Sequence, residues 1–194
     1  CRIVAEAASS VCQGEIIQTQ RRFDLTLTKK EYFKIIELKT GALFAVAAQL
    51  GARISQASDE IQLQLKEFGL KIGTAYQIYD DCIDLVGDET STGKTLGTDL
   101  EKGKLTLTLL NLISSGTEAQ KEKLNQRILL KEPIDTNALA GIADYDGAIE
   151  RALETGRSLL TESRELLSPL NESSYKTGLI EITNYLEKLF TDCI

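Results

Sequence analysis

Residue types that can do chemistry concentrate in one stretch, Gly73 to Lys104, which reads GTAYQIYDDCIDLVGDETSTGKTLGTDLEKGK. Helical periodicity through its first half sets Asp80 and Asp84 four residues apart, so the two carboxylates share a face and can close on one cation. Gly73 and Gln77 fall on the same face, so a bare position, an amide and two carboxylates line up as a polar groove. Asp81 sits about 100° round the helix from Asp80, near enough to assist. From Asp80 to Lys104 seven acids stand against three lysines, a local balance of −4 within a whole-chain charge of −7. Like charges so crowded are costly unless a cation neutralises them. Carboxylates without Cys or His donors select a hard cation such as Mg²⁺ rather than zinc. Lys94 and Lys104 each follow a glycine close by. A carboxylate-held Mg²⁺ beside lysines is a physical means of gripping a diphosphate. The loop is not a P-loop, because no GxxxxGK[ST] pattern occurs.

The elements that must position these groups read as helices throughout. Apolar positions Ile3, Val4, Ala7, Ala8, Val11, Ile16 and Ile17 trace a stripe from residue 3 to about Gln20. That stripe is already running at residue 3 with no cap before it, and the chain opens at Cys1 and has no methionine. The expectation is the C-terminal part of a longer protein. Thr28 with Glu31 forms a capping-box pattern and opens a helix expected to reach about Leu50, with Gly51 marking its end. Ser58-Asp59-Glu60 starts the helix that carries Asp80, expected from Ile61 to about Val86. Gly87–Gly103, with four glycines, reads as a long ordered loop. Further helices are expected at about Leu105–Ile113, Glu118–Leu129, Asn137–Ala143, Gly147–Leu166 and Ser173–Phe190. The fold class is all-α, in one domain spanning residues 1–194.

Composition narrows the function classes. With 42% hydrophobic and 26% charged residues the chain is globular, and a pI near 4.8 argues against nucleic acid as a partner. There is no histidine, which removes Ser-His-Asp, Cys-His and His-ligated zinc chemistry. The longest apolar run, Ala42–Ala48, is seven residues, against the ~20 that span a bilayer, so no transmembrane segment is expected. The cysteines, Cys1, Cys12, Cys82 and Cys193, are too scattered for a metal or disulfide framework and read as reduced, mostly buried thiols. No signal-peptide pattern is present, so the expected location is cytoplasmic.

YQIYDDCIDLVGD followed by GKTLGTDLEKGKLTLTLL resembles the trans-type polyprenyl diphosphate synthases, whose second aspartate-rich motif has the pattern FQ-x-x-DD-x-x-D. The later G-K and G-x-D-x-x-x-G-K elements match in order and spacing. Upstream, Lys39-Thr40 is similar to that family's KT pair, with Leu43-Phe44 and Leu50-Gly51-Ala52 after it, and Gly14-Glu15 fits its GE element. Tyr76 stands where Phe is usual and Thr108 where Pro is frequent. The family's first aspartate-rich motif, and the arginines that follow it, are absent from these residues.

The resemblance implies an isoprenoid-synthase-type helical bundle around a central cavity, incomplete here for want of its N-terminal helices. It implies a Mg²⁺-dependent prenyltransferase, binding three ions when whole, that condenses an allylic diphosphate with isopentenyl diphosphate. By similarity, Asp80 ligates a Mg²⁺, and Asp81 and Asp84 complete its shell through water. Lys39 and Lys94 contact the allylic diphosphate and Lys104 helps neutralise it. Thr40 and Gln77 line the reaction centre, and Asp99 supports the lysines and metal-bound water. A homodimer is implied, and the first helix, with Ala5, Ala7, Ala8, Val11 and Ile16, suits burial between partners. Two alternatives are a noncatalytic subunit of a heteromeric synthase and a terpene cyclase on the same fold. The fragment alone is expected to be inactive.

Overall fold

The computed structural model describes residues 1–86, 96–130 and 136–193, and among them there is no strand. The elements are α1 (Arg2–Gln20), α2 (Lys29–Ile36), a π-helical turn (Glu37–Gly41), α3 (Ala42–Ile54), α4 (Asp59–Val86), α5 (Thr98–Glu101), α6 (Leu107–Ser115), α7 (Glu118–Leu129), α8 (Thr136–Ala140), α9 (Tyr145–Glu165) and α10 (Ser174–Thr191).

The architecture is an all-α bundle built on α4, which packs against α3 on one side and α9 on the other. Phe68, Ile72, Ala75, Ile78, Cys82 and Leu85 recur at three- and four-residue spacing and are buried. From α9, Ala148, Ile149, Ala152, Leu153 and Leu160 meet that core. Full burial of each large aliphatic side chain is worth roughly 1.5–3 kcal/mol.

The helix from Thr28 begins as its cap foretells. Glu31 N–H donates to Thr28 Oγ1 (3.2 Å) and Thr28 N–H donates to Glu31 Oε2 (2.9 Å). Two things differ from the periodicity. The π turn interrupts the helix at Glu37–Gly41, one extra residue that re-aims the segment containing Lys39 and Thr40. Gly14 of α1 presses on this turn: a Cβ there would lie 2.6 Å from the Lys39 nitrogen. Gly51 does not end the helix, since Ala52 behind it is buried and α3 continues to Ile54. The stop is a Schellman motif with Gln56 at φ 59°, where Gln56 N–H donates to Arg53 O (3.1 Å) and Ala57 N–H to Ala52 O (3.0 Å).

Read as one 26-residue helix, Lys29–Ile54 is long and apolar enough to cross a membrane by length and composition, with a mean hydropathy of 1.3 over its 18-residue apolar window. In this fold it packs against α1 and α4. The cysteines also depart from expectation: Cys82 is buried and Cys193 half-buried, but Cys1 and Cys12 are exposed at and on α1, and none is disulfide-bonded. Of the expected loop Gly87–Gly103, residues 87–95 lie outside the described residues, and Thr98–Glu101 is a helical turn. Gly103, at φ 71°, leaves room for the Phe23 ring, 2.4 Å from where a Cβ would stand. Phe23 N–H donates to Gly103 O (2.8 Å), clamping the α1–α2 connector to the turn that bears Lys104.

Candidate functional site

Lys39, Gln77, Asp80, Asp84, Asp99 and Lys104 line one cavity of about 240 Å³, closed by Ile83, Leu96 and Thr98. Four elements meet there: the π turn supplies Lys39, α4 the amide and two carboxylates, α5 Asp99, and the turn after it Lys104. Lys39 Nζ reaches Gln18 Oε1 of α1 at 3.4 Å. Lys104 Nζ donates to Asp99 Oδ1 at 2.5 Å, holding that ammonium at the rim. Asp84 Oδ2 accepts the Asp99 backbone N–H (3.0 Å), and Asp84 O accepts the Gly97 N–H (2.7 Å). Burial raises the Asp84 carboxyl above its usual range against the pull of that backbone amide.

The adjacent pair Asp80 and Asp81 divides. Asp80 is half-buried on the cavity wall, whereas Asp81 is buried and turned inward. Asp81 Oδ2 accepts the Tyr32 hydroxyl (2.7 Å) and Oδ1 accepts Gln77 Nε2 (2.8 Å). Burial pushes Asp81 up to about 6, against the lowering effect of Lys39 and of these two hydrogen bonds. Gln77 Oε1 in turn accepts Thr40 Oγ1–H at 2.6 Å. Thr40 therefore meets the site through Gln77 rather than by lining the cavity.

Among the described residues no three acid, His or Cys side chains converge as a metal-holding group. The two α4 carboxylates on the wall, Asp80 and Asp84, nonetheless fit Mg²⁺, which binds through one or two carboxylates, waters and substrate phosphate oxygens. A larger groove, about 1350 Å³, runs between α1, α2, the π turn, α3 and α4, and basic side chains such as Lys34, Arg53 and Lys66 mix there with acidic ones such as Glu6, Glu37 and Glu67. The small cavity, where carboxylates and ammonium groups oppose each other, is the better candidate for chemistry.

A sequence model of the family described as polyprenyl synthetase matches residues 1–145. The chain belongs to this family. Among similar proteins is the geranylgeranyl diphosphate synthase of Methanosarcina mazei, 29% identical over 95% of this chain and 56% of that protein. The heptaprenyl diphosphate synthase component 2 of Bacillus subtilis is 30% identical over 96% of this chain and 53% of that protein. Of solved structures, the decaprenyl diphosphate synthase of Rhodobacter capsulatus superposes with a TM-score of 0.86 at 26% identity, over 96% of this chain and 58% of that one. A polyprenyl synthase of Caulobacter crescentus, complexed with calcium and isoprenyl diphosphate, gives 0.86 at 27%, over 96% and 57%. The chain thus spans just over half the length of each of these four proteins.

For this polyprenyl synthetase chain, the residues expected from its motifs are mostly brought together. Lys94 lies outside the described residues. Gly73 does not line the cavity; it lets α4 cross α3, a Cβ there falling 2.8 Å from Gly41 Cα. The motifs did not point to Tyr32 or Gln18. Tyr32 stands seven residues before Lys39, two helical turns, which is a readable signal only once α2 is known to face α4. Gln18 carries no signal, since its contact with Lys39 exists only once α1 packs on the π turn.

Proposed function

We propose that the full-length protein is a Mg²⁺-dependent prenyltransferase that condenses an allylic diphosphate with isopentenyl diphosphate to a longer trans-polyprenyl diphosphate. The observation that carries this reading is the convergence of Asp80 and Asp84 with Lys39 and Lys104 on one cavity. Asp80 and Asp84 would hold the cation, with Asp81 braced behind them, and Lys39, Lys94 and Lys104 would take diphosphate oxygens. Bound Mg²⁺ supplies positive charge where the leaving diphosphate becomes more negative. The carbon–oxygen bond breaks, the isopentenyl double bond supplies the electrons of the new carbon–carbon bond, and a proton is lost. Lysines already ordered at the cavity stabilise the departing anion most in the transition state. Thr40, whose hydroxyl donates to Gln77 Oε1, would act on the reacting groups through that amide, which lies on the cavity wall. The calcium and isoprenyl diphosphate bound by the Caulobacter crescentus neighbour support a hard cation and this substrate class.

Full-length protein with Mg²⁺, farnesyl diphosphate and labelled isopentenyl diphosphate should yield elongated product, and chelation should abolish it. The 194-residue chain by itself should yield none. Absence of transfer with geranyl, farnesyl and geranylgeranyl diphosphates alike would overturn the reading, and transfer appearing only on adding a second protein would assign the chain to a heteromeric synthase. A homodimer through α1 goes with the proposal, because Val4 (48%) and Ile16 (57%) are exposed there along with Ala5 and Ala8. Sedimentation of the full-length protein at micromolar concentration should give the dimer mass.

A further inference from the structure

Tyr32 is 2% exposed, yet its hydroxyl is fully engaged. It donates to Asp81 Oδ2 at 2.7 Å. Asp81 is an acceptor only. Its other oxygen therefore draws the NH₂ end of Gln77, at 2.8 Å. That orientation leaves Gln77 Oε1 facing Thr40, whose hydroxyl donates at 2.6 Å. The chain runs from α2 through α4 to the π turn, and each link takes one polarity. A side-chain amide by itself has no preference between its two ends.

We infer that Tyr32 is a positioning residue: through Asp81 it sets which end of the Gln77 amide faces Thr40, and so which atoms Gln77 and Thr40 offer to the reacting groups. The inference rests on the prenyl-transfer reading for its consequence, but not for its geometry. Removing the hydroxyl leaves Asp81 buried with Gln77 as its one close side-chain donor. A buried carboxylate short of partners is costly, and it relieves the shortage by rotating, which frees the amide to turn over.

Two measurements on the full-length protein test this. The first uses side-chain ¹⁵N-labelled glutamine, with the Gln77 NH₂ pair identified by its loss in Gln77→Leu. In the wild type these protons should exchange with water at least tenfold more slowly than those of exposed Gln13, and Tyr32→Phe should remove that protection. Gln77 protons that exchange freely in the wild type, or protection unchanged in Tyr32→Phe, would overturn the inference. The wild-type arm stands even if the variant does not fold. The second is kinetic. Tyr32→Phe should lower kcat by roughly tenfold, the effect of one hydrogen bond to a charged group, with KM for the allylic diphosphate within about twofold. In a Gln77→Leu background the same change should alter kcat by less than about twofold. Equal losses in both backgrounds would mean that Tyr32 acts elsewhere. A wild-type protein without prenyl transfer would sink the functional reading alone, since the exchange measurement still decides the role of Tyr32.

Discussion

Two regions of α4 lie one to two turns apart and meet the same neighbouring segment in opposite ways. At Gly69 and Gly73 the helix approaches α3 backbone to backbone: a Cβ on Gly69 would sit 2.3 Å from the Phe44 carbonyl oxygen. From Gln77 to Asp84 it meets the π turn and α5 through hydrogen bonds of 2.6–3.0 Å, with a cavity between them. The first region works by absence of side chain, and the second by placement of charge. They are coupled, since the close crossing brings Lys39 and Thr40 within reach of Gln77 and Asp80. Packing that looks purely structural thus sets the distances on which the polar end depends.

The largest effect expected from breaking the polar end alone is that of Asp80→Ala. In the full-length protein it should reduce turnover by at least about a hundredfold, because charge stabilisation by a bound cation is worth several kcal/mol. The helical circular-dichroism signal should not change.

Breaking the dry end should do the reverse. Gly69→Ala forces a methyl group onto backbone atoms that cannot yield, and should cost about 3 kcal/mol of stability in urea unfolding. Loss of activity would follow loss of folded protein. Unaltered stability would show that the crossing is looser than described.

Asp81 is the buried carboxylate of the polar region, and its protonation provides a third test. Its folded-state value, about 6, lies above the ordinary 3.8. Between those values the folded chain keeps a proton that the unfolded chain has released, so stability falls as pH rises from about 4 to 6 and then levels. The total is at most about 3 kcal/mol. Unfolding of the wild type in chelator-containing buffer should show this drift relative to Asp81→Asn. Parallel curves for the two proteins would place Asp81 in a more polar setting.

The smallest effect sharpens the comparison by using the same residue type. Gly51 lies within α3 with nothing near its would-be Cβ. Gly51→Ala should therefore stabilise the protein by up to about 1 kcal/mol, through helix propensity and a less free unfolded chain. The opposite sign from Gly69→Ala would separate a glycine required by approach from one that is merely tolerated.

Much of the fold was legible because helices declare themselves locally. Apolar residues at three- and four-residue spacing located α1, α4, α9 and α10, and the Thr28–Glu31 box located the start of α2. What failed were features decided by neighbours. Gly51 carries the ordinary signal for a helix end, yet the buried Ala52 holds the helix onward until Gln56 closes it. Nothing in ELKTG announces a π turn; the pressure of Gly14 against Lys39 accompanies it.

By itself, then, the sequence determined an all-helical chain and an acidic pair on one helix face. Spacing along one helix fixes the angle between two side chains about a common axis, which is why Asp80 and Asp84 could be paired in advance. It does not fix where that axis points. Only the tertiary structure decided that Asp80 faces the cavity while Asp81 turns inward to Tyr32, and that Lys39, Lys104 and Asp99 arrive from other elements. The physical reason is that the absolute orientation of a helix is set by which flank its neighbours bury, and those neighbours lie tens of residues away in the chain.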